Sequence, residues 1–263
     1  MHWQPVRHPH RRAWRNECLA QRSVTSYPLK YKLLSARYYK YLRYYLRLRK
    51  AEKREEAELK LLRFLVPRDK IAVDVGANKG TYTLPLSWYA ASVHAFEPHP
   101  LLHRYLTEAF PCGNVTVHPV ALGNADDQGE LTVPLTSGSE RRNVGSLLKA
   151  GSSGEVQIYA VRLARLDRFA LAPVGFLKID VEGFEMEVIR GAEATIERNR
   201  PNILCEILDF KRNQIEEGIE KIEYVERLGY VTLVYGGSAL ALFSKRRVPQ
   251  EGPLKNFIFL PRS

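Results

Sequence analysis

The sequence predicts a doubly wound α/β fold with a mostly parallel sheet, preceded by a basic, helical N-terminal extension. Short apolar runs of strand length alternate with segments of helical periodicity, which is the pattern of strand-helix-strand units. Acidic residues stand at the ends of several of these runs, at the edge where open α/β sheets bind ligands. The predicted strands are Ile71 to Val75, Ser92 to Glu97, Val115 to Val120, Phe176 to Ile179 and Asn202 to Ile207.

The first strand runs into the loop Asp74 to Thr83, which reads D-V-G-A-N-K-G-T-Y-T. Gly76 lets the chain turn sharply off the strand end, where a Cβ would clash. Asn78 tolerates the left-handed region at a position where a further glycine is often found. Gly80 would bring the following helix start close to a ligand. Asp74 suits a cationic or hydrogen-bond-donating ligand and argues against a pyrophosphate.

Two common phosphate-binding loops do not fit this segment. The dinucleotide fingerprint needs glycines at the first, third and sixth loop positions, which hold Gly76, Asn78 and Thr81. The G-x-x-x-x-G-K-[ST] loop fails because Gly76 and Gly80 are one residue too close and no Lys-Ser or Lys-Thr pair follows. What remains is the acidic, glycine-containing loop of enzymes that bind S-adenosylmethionine (SAM). A plain strand-to-helix turn is the alternative.

A second acid, Glu97, stands at the end of the second strand and is followed by Pro98. It lies about 20 residues beyond the first loop, as expected for a carboxylate that binds a ribose. Such a carboxylate can accept hydrogen bonds from both ribose hydroxyls. The alternative is a surface glutamate before a helix that starts near Pro100.

Carboxylates also follow the fourth and fifth predicted strands. Asp180 and Glu182 come just after Ile179, and Gly183 permits the turn into a helix. Glu206 follows the next strand and belongs to the same edge by topology. Glu182 has a second interpretation, in which it only favours a helix N-terminus through the helix dipole, and for Glu185 we prefer that interpretation.

The end of the chain completes the predicted sheet. Residues Gln214 to Leu228 have the pattern of a late helix. Tyr230 to Tyr235 and Asn256 to Leu260 are expected to close the sheet as an antiparallel pair around a loop. A Gly/Ser-rich insertion lies between the strand-like runs Glu130 to Leu135 and Val156 to Val161, and both a lid over the substrate and a surface hairpin loop are compatible with it.

From about Ile71 to Pro261 the chain resembles the FkbM-type SAM-dependent methyltransferases. The elements that carry this resemblance are DVGANKGTYT (Asp74 to Thr83), HAFEPHP (His94 to Pro100), VHPVALGN (Val117 to Asn124), GSL (Gly145 to Leu147), LKIDVEGFEMEVIRGAE (Leu177 to Glu193), RPNILCEI (Arg200 to Ile207) and NFIFLP (Asn256 to Pro261). The resemblance implies a Rossmann-like class I methyltransferase fold and O-methylation of a sugar or another hydroxylated metabolite. The segment Val161 to Phe169 departs from the family pattern by added arginines, which could alter whatever lies over the substrate.

The loop, the second acid and the resemblance together predict the cofactor contacts. In the resemblance, the turn Ala121 to Asn124 faces the adenine, and backbone groups would make that contact. The predicted cofactor-binding residues are Asp74, Gly76, Ala77, Asn78, Gly80, Tyr82, Glu97, Pro98, Ala121, Leu122, Gly123 and Asp180.

Methyl transfer to a hydroxyl needs an in-line approach and a group that takes the hydroxyl proton. Asp180 is the first candidate for this base or for an anchor of the substrate hydroxyl, with Glu182 second and Glu206 third. The same three carboxylates could instead hold a divalent cation, because hard cations prefer oxygen ligands. The sequence does not choose between these roles. A zinc site is disfavoured, because His99 and His103 lack partners at zinc-like spacing.

Composition sets the class of protein and its expected location. The chain has 263 residues with 45% hydrophobic content, enough for one substantial domain with an appendage. Three widely spaced cysteines predict a reducing compartment without a disulfide framework. No apolar run is long enough for a membrane span, and the first residues lack an apolar signal core. We therefore expect a cytoplasmic protein, either free or peripheral at the inner membrane surface.

The net charge of +11 is concentrated at the N-terminus. Residues 1 to 70 contain 19 Lys/Arg and 6 Asp/Glu, whereas residues 71 to 263 contain 21 and 23. Residues 1 to 27 are predicted to be a disordered basic tail, residues 28 to 69 an amphipathic helical extension and residues 70 to 263 the methyltransferase domain. In residues 30 to 54 a basic face adjoins a stripe of tyrosines and leucines, which suits an anionic membrane surface. Packing of that stripe on the catalytic domain, with the charges facing water, is the preferred interpretation, and nucleic-acid phosphates are a third possible partner.

Three functions are compatible with these features. The preferred one is a SAM-dependent O-methyltransferase that acts on a saccharide, a lipid-linked saccharide or a related metabolite. A nucleic-acid methyltransferase that uses the basic arm is disfavoured, because the fourth strand ends in D-V-E-G (Asp180 to Gly183) and not in an N-P-P-Y-type segment. A catalytically silent SAM-fold protein that binds a membrane surface or a partner is the third.

Overall fold

The computed structural model describes residues 57–110, 113–136, 139–140, 147, 155–210, 214–235, 239–244 and 256–262. The predictions for residues 1–27 and 30–54, and for Gly145 and Ser146, lie outside these residues. No helix in the described part of the chain is long and apolar enough to cross a membrane.

Strands and helices alternate along the described residues. The strands are β1 (Ile71–Val75), β2 (Ser92–Phe96), β3 (Val115–His118), β4 (Val120–Leu122), β5 (Asp127–Thr136), β6 (Ser139–Glu140), β7 (Val156–Ala164), β8 (Val174–Ile179), β9 (Asn202–Glu206), β10 (Tyr230–Tyr235), β11 (Leu240–Leu242) and β12 (Asn256–Pro261). The α-helices are α1 (Leu62–Leu65), α2 (Thr83–Tyr89), α3 (Pro100–Ala109), α4 (Glu185–Arg190), α5 (Glu193–Asn199) and α6 (Ile215–Arg227). Short 3-10 turns cover Ala57–Leu61, Leu166–Phe169 and Leu208–Phe210.

The main sheet has the strand order β11-β10-β12-β9-β8-β1-β2-β3. Strands β3, β2, β1, β8 and β9 are parallel, so their carboxyl ends meet at one edge. Strands β10 and β12 form the antiparallel pair predicted for the end of the chain. Strand β12 also pairs antiparallel with β9, and β11 adds a further antiparallel edge strand next to β10. This topology is that of the class I methyltransferase fold and confirms the predicted fold class.

Apolar side chains cover both faces of the main sheet. One face packs against helices α4, α5 and α6 through Val188, Ile196 and Ile222, all of them inaccessible to solvent. The other face packs against α1, α2 and α3 through residues such as Leu62, Leu86 and Leu106. Helices on both faces explain why the central strands read as continuous apolar runs in the sequence, because both faces of each strand are buried.

The folded unit reaches into the segment expected to form the N-terminal extension. Leu59, Leu62, Leu65 and Val66 are buried in the same cluster as the second face of the main sheet. The side-chain amide of Asn202, at the start of β9, donates a 2.8 Å hydrogen bond to the Leu65 carbonyl. Residues 57–66 are therefore part of the domain core.

The predicted third strand is interrupted at Pro119. The first half, β3, pairs with β2 in the main sheet, whereas the second half, β4, pairs with β7 in a separate sheet of order β4-β7-β5-β6. Proline lacks the N–H that a central ladder needs, so the chain leaves the main sheet there. The prediction of one strand from Val115 to Val120 was wrong in this respect.

The insertion forms a long antiparallel hairpin of β5 and β7. Leu131, Val133 and Val161 from the hairpin pack with Ala121 of β4, and Leu147 from the connecting segment packs against them. The insertion thus has its own small core, which the Gly/Ser-rich composition of its tip did not indicate.

The segment that departs from the family pattern has a structural role. Arg165 and Arg168 are about half exposed, and both pair with Asp126, with shortest N–O distances of 3.2 and 3.6 Å. Asp167 turns inward and accepts hydrogen bonds from the N–H groups of Ala194 and Thr195 at 3.1 and 2.7 Å. These arginines therefore pair with a neighbouring carboxylate on the surface, and they are accounted for without a substrate.

Replacement of Asp167 by Ala is expected to lower the free energy of unfolding by about 1–2 kcal/mol, because its carboxylate satisfies the N-terminal N–H groups of α5. Thr195 Oγ1 also donates to it at 2.6 Å. Urea unfolding followed by circular dichroism measures this change. Glu197→Ala, an exposed substitution on the same helix, is the matched control. Equal effects of the two substitutions would contradict the capping role.

Candidate functional site

The loop after β1 adopts the backbone that its sequence predicts. Gly76, Asn78 and Gly80 have φ values of +76°, +50° and +79°. The N–H groups of Gly76 and Ala77 both donate to the Phe96 carbonyl, at 3.0 and 3.1 Å, so the loop is attached to the end of β2. The alternating left-handed residues therefore form a compact turn between the first two strands and α2.

Gly76 also fixes the distance between this loop and the end of β8. A Cβ built on Gly76 would lie 1.8 Å from the Asp180 carbonyl oxygen, which is far inside van der Waals contact. The Asp180 N–H in turn donates a 3.1 Å hydrogen bond to the Val75 carbonyl. The cofactor loop and the predicted reaction edge are thus in direct backbone contact.

Asp74 lies inside the protein and not on the rim of the site. Its side chain is buried, and the Thr83 hydroxyl at the start of α2 donates a 2.6 Å hydrogen bond to it. The predicted contact residues Ala77 and Tyr82 are also buried by protein atoms, at 4% and 5% exposure. Asp74 therefore holds the loop against α2, and contacts of these three residues with a cofactor stay predictions.

Glu97 is presented by two backbone donors. Asn78 N–H donates to its Oε2 at 2.7 Å and His99 N–H donates to its Oε1 at 2.8 Å. Burial raises the pKa of Glu97 to about 7 against the opposing effect of these two hydrogen bonds, and the nearby charges of Asp74 and Asp180 raise it further. Glu97 is therefore a fixed, buried acceptor at the end of β2, next to the half-buried Pro98.

His99 connects this acid to the insertion, a role that the sequence analysis did not assign. Its Nδ1 accepts a 3.2 Å hydrogen bond from the Leu101 N–H and caps α3. Its ring lies 4.9 Å from the ring of Tyr159 on β7, measured between centroids. Because Nδ1 is the acceptor, the neutral ring carries its proton on Nε2. A histidine directly before a proline at a helix start was the available signal.

The turn after β4 packs tightly against neighbouring elements. Ala121 and Leu122 are buried, and the Gly123 N–H donates to the Ala164 carbonyl at 3.0 Å. A Cβ on Gly123 would lie 2.9 Å from side-chain atoms of both Leu163 and Phe184. These contacts account for Gly123 by packing alone, and its predicted contact with adenine stays a prediction.

Asp180 and Glu182 lie together in the turn after β8. The Asp180 side chain is 31% exposed, and its Oδ2 lies 3.3 Å from Nζ of Lys178. Glu182 has a φ of +55° and Gly183 a φ of +108°, so a left-handed non-glycine residue precedes α4. Strained backbone of this kind concentrates at functional sites. Glu206 ends β9 on the same edge and is nearly buried.

The structure adds a group of buried charges behind this turn that the sequence analysis missed. Glu185, interpreted from sequence as a dipole effect alone, is 1% exposed, and its Oε1 accepts a 2.7 Å hydrogen bond from Gly183 N–H. Burial raises the pKa of Glu185. Lys221 of α6 pairs with Asp209 at 2.6 Å and lies 3.9 Å from Glu185 Oε2. The turn that carries Asp180 and Glu182 is therefore supported from beneath by a charged network.

The carboxylates of this edge are not grouped like the ligands of a metal ion in the part of the chain that the structure describes. Within the described ranges, no group of three His, Cys, Asp or Glu side chains is arranged to hold a metal ion. The ammonium of Lys178 is instead the cation found next to Asp180. The choice between a base and a divalent cation at Asp180, Glu182 and Glu206, which the sequence left open, stays open.

The residues at the edge fit SAM chemically. A nucleoside needs an acceptor for its ribose hydroxyls, and Glu97 is a carboxylate held by two backbone N–H groups. Protein atoms bury it as they bury Asp74, Ala77 and Tyr82, so its contact with a ribose stays a prediction. A sulfonium methyl donor needs a nearby open position for the incoming hydroxyl, and Asp180 is the partly exposed carboxylate beside the loop. The carboxylates of Glu97 and Asp180, beside the loop after β1, therefore match the chemistry of a SAM site.

Comparisons with known proteins agree with this geometry. The family profile described as the methyltransferase FkbM domain matches residues 74–232. The chain is 29% identical over 141 residues to the hexuronic acid methyltransferase AglP of Haloferax volcanii, covering 52% of this chain and 56% of that protein. It is 29% identical over 171 residues to methyltransferase 1 of Beauveria bassiana, covering 55% of this chain and 67% of that protein.

Solved structures give two further likenesses. The FkbM methyltransferase of Methylobacillus flagellatus is 15% identical with a TM-score of 0.45, covering 73% of this chain and 43% of that one. The fibrillarin of Aeropyrum pernix, which contains natively bound SAM, is 15% identical with a TM-score of 0.40, covering 74% and 67%. The family match extends over more than half of this chain and includes Gly76, Glu97 and Asp180. The chain therefore belongs to the FkbM methyltransferase family.

Proposed function

We propose that the protein is a SAM-dependent O-methyltransferase that transfers a methyl group to a hydroxyl of a saccharide, a lipid-linked saccharide or a related metabolite. The observation that carries the proposal is the meeting, at one sheet edge, of the Gly76 loop, the doubly hydrogen-bonded Glu97 and the partly exposed Asp180. Family membership supports methyl transfer. The Haloferax relative is named a hexuronic acid methyltransferase, which makes sugar acids the first acceptors to test.

The residues of the chain have distinct tasks in this proposal. Glu97 accepts hydrogen bonds from the ribose, and the loop from Gly76 to Gly80 places its backbone against the nucleoside side of the site. Bound SAM supplies a methyl group that is already activated as a sulfonium. Asp180 orients the acceptor hydroxyl and takes its proton while the acceptor oxygen bonds to the methyl carbon and the sulfur–methyl bond breaks. Glu182, which lies on the same turn, contacts the same acceptor in this proposal.

Substitution Asp180→Asn is expected to lower methyl transfer by about a hundredfold or more, the effect typical of a lost general base. Binding of S-adenosylhomocysteine should change little, because Glu97 and the loop remain. The measurement is transfer of radiolabelled methyl from SAM to glucuronic acid, galacturonic acid, the parent neutral hexoses and their oligosaccharides, with calorimetric binding in parallel.

Glu187→Gln is the matched control. Glu187 lies on α4, outside the loop, and its carboxylate pairs with Arg190 at an N–O distance of 2.9 Å. It should retain wild-type transfer. A folded wild-type protein that binds neither SAM nor S-adenosylhomocysteine would refute the proposal. Binding of SAM without transfer to any hydroxylated acceptor would refute its O-methyltransferase part. Transfer to RNA alone would favour a nucleic-acid substrate.

A further inference from the structure

A lysine lies in the middle of the main sheet. Lys178 belongs to β8 and is 1% exposed, although lysine is almost never fully buried unless it is paired. In the sheet register it is directly opposite Asp74 on β1 and Leu204 on β9. Residues opposite each other in a parallel sheet share a face, so the side chains of Lys178 and of the buried Asp74 extend from the same face of the sheet.

The ammonium of Lys178 connects the reaction edge with the cofactor loop. Its Nζ lies 3.3 Å from Asp180 Oδ2 and donates to the Ile179 carbonyl at 3.3 Å. It also lies 4.8 Å from the centre of the Tyr82 ring, the geometry of a cation–π contact. Tyr82 immediately precedes α2 in the cofactor loop. One buried cation thus contacts residues from both functional loops.

Charge at this edge is otherwise mostly negative. The titratable or charged groups that interact with Asp180 include Lys178, Glu97, Glu185 and Cys205. Asp74, Glu182, Glu206 and Lys221 lie near the same edge. Converging carboxylates disfavour one another's ionised forms, whereas a cation within about 4 Å favours the ionised form. Lys178 is a buried cation within this distance of Asp180.

We propose that Lys178 is a positioning residue for methyl transfer: its buried ammonium holds the Asp180 carboxylate ionised and in a fixed orientation toward the acceptor hydroxyl. This inference rests on the proposed function. Lys178 does not need to touch the substrate, because it is buried and Asp180 retains the exposed surface. Its effect on the reaction passes through Asp180.

The test compares Lys178→Met, Lys178→Gln and Lys178→Arg in the full-length protein. We measure kcat/KM for the acceptor as a function of pH at saturating SAM. In Lys178→Met and Lys178→Gln the fall of kcat/KM on the acid side, which is the acidic limb of the profile, is expected at a pH about one unit or more higher than in the wild type. Turnover near pH 7 should fall about tenfold or more in these variants. Lys178→Arg keeps the charge and should restore the position of the limb. Lys60→Met, at an exposed lysine, is the control.

Two readouts do not depend on turnover. In the wild type and in each variant, carbon NMR of protein labelled at aspartate carboxyl carbons, assigned with Asp180→Asn, follows the pH midpoint at which Asp180 protonates. The midpoint should move upward when the ammonium is removed. Binding of S-adenosylhomocysteine should stay within about threefold, because a charge-positioning role leaves the ribose site intact.

The outcomes separate this inference from the proposed function. An unmoved Asp180 midpoint in a folded Lys178→Met or Lys178→Gln variant overturns the inference, as does an unmoved acidic limb. Loss of cofactor binding equal to the loss of turnover also overturns it, because Lys178 would then act only through Tyr82 and the loop. A wild type without methyl transfer refutes the proposed function instead, while the NMR midpoint still decides the pairing. If both neutral variants fail to fold, Lys178→Arg decides, since a displaced midpoint or limb there contradicts the charge role.

Discussion

Replacement of Gly76 by Ala is expected to abolish cofactor binding and to destabilise the domain by about 3 kcal/mol or more. Two effects combine at this position. The backbone has a φ of +76°, which costs an L-residue about 1–2 kcal/mol. The new Cβ would also lie 1.8 Å from the Asp180 carbonyl oxygen, a backbone atom of the central strand region that cannot rotate away. The loop must therefore lift off the reaction edge.

Two other glycines separate these effects. Gly191 has an ordinary φ of −75°, but its Cβ would lie 1.8 Å from the Gly123 carbonyl oxygen. Gly129 lies in β5, where a Cβ would meet only ordinary contacts at 3.7 and 4.0 Å. We expect Gly191→Ala to be destabilising with a smaller loss of cofactor affinity, and Gly129→Ala to be nearly neutral. Denaturant unfolding and calorimetric binding of S-adenosylhomocysteine measure both quantities.

If Gly76→Ala binds S-adenosylhomocysteine as the wild type does, the contact between the loop and Asp180 is not needed for the cofactor site. If Gly129→Ala is as damaging as Gly76→Ala, the effect is one of lost backbone freedom in general and not of this contact. Either result would require a different account of why the loop begins with glycine.

The sequence predicts the parts of the site that depend on short spacings. The backbone conformation of Gly76, Asn78 and Gly80 could be predicted because positive φ favours glycine and asparagine. All three residues have positive φ in the structure. The position of Glu97 at the end of β2 could be predicted because it follows a recognisable strand, while its role as a ribose-binding carboxylate stays a prediction. Its two N–H donors, from residues 78 and 99, were not predicted, because the contact with Asn78 depends on how the loop after β1 folds against the end of β2.

The sequence did not predict which polar side chains are buried. Lys178 lies in an apolar run, and a run of this kind does not show that its one lysine is buried and pairs with the partly exposed carboxylate of Asp180. Glu185 looks like an ordinary helix-start glutamate, yet α6 covers it and supplies Lys221. The burial of these two side chains depends on how elements distant in the sequence pack together. The residues next to Lys178 and Glu185 in the chain do not carry that information. Pro119, by contrast, was a local signal for the break between β3 and β4.

Glu97 is expected to make both stability and cofactor affinity depend on pH. Its pKa is raised from 4.5 to about 7 in the folded protein without ligand, chiefly by burial. Between these values the folded state binds more protons at Glu97 than the unfolded state. The stabilising contribution of this proton is therefore present below about pH 4.5 and is lost as the pH rises through about 7, amounting to about 3 kcal/mol.

The cofactor is expected to show the opposite trend. Ribose hydroxyls donate to an ionised carboxylate, so binding favours deprotonated Glu97 and releases a proton below about pH 7. Affinity for S-adenosylhomocysteine should rise about tenfold between about pH 6 and pH 8. Calorimetry in buffers of different ionisation enthalpy measures the proton release directly, and denaturant unfolding over the same range measures the loss of stability.

Glu97→Gln is the variant that tests this assignment. Both carboxylate oxygens accept backbone N–H groups, so the amide of glutamine must turn its NH₂ toward one of these donors. We expect affinity to fall by about tenfold to a hundredfold, because the ribose hydroxyls then lose a charged acceptor. The pH dependence of affinity and the proton release should disappear with it. The backbone donor that faces the NH₂ lowers the stability of the variant with and without cofactor. A Glu97→Gln protein that still releases a proton on binding would show that another group titrates at this site, and Glu185, whose pKa burial also raises, would be the next to replace.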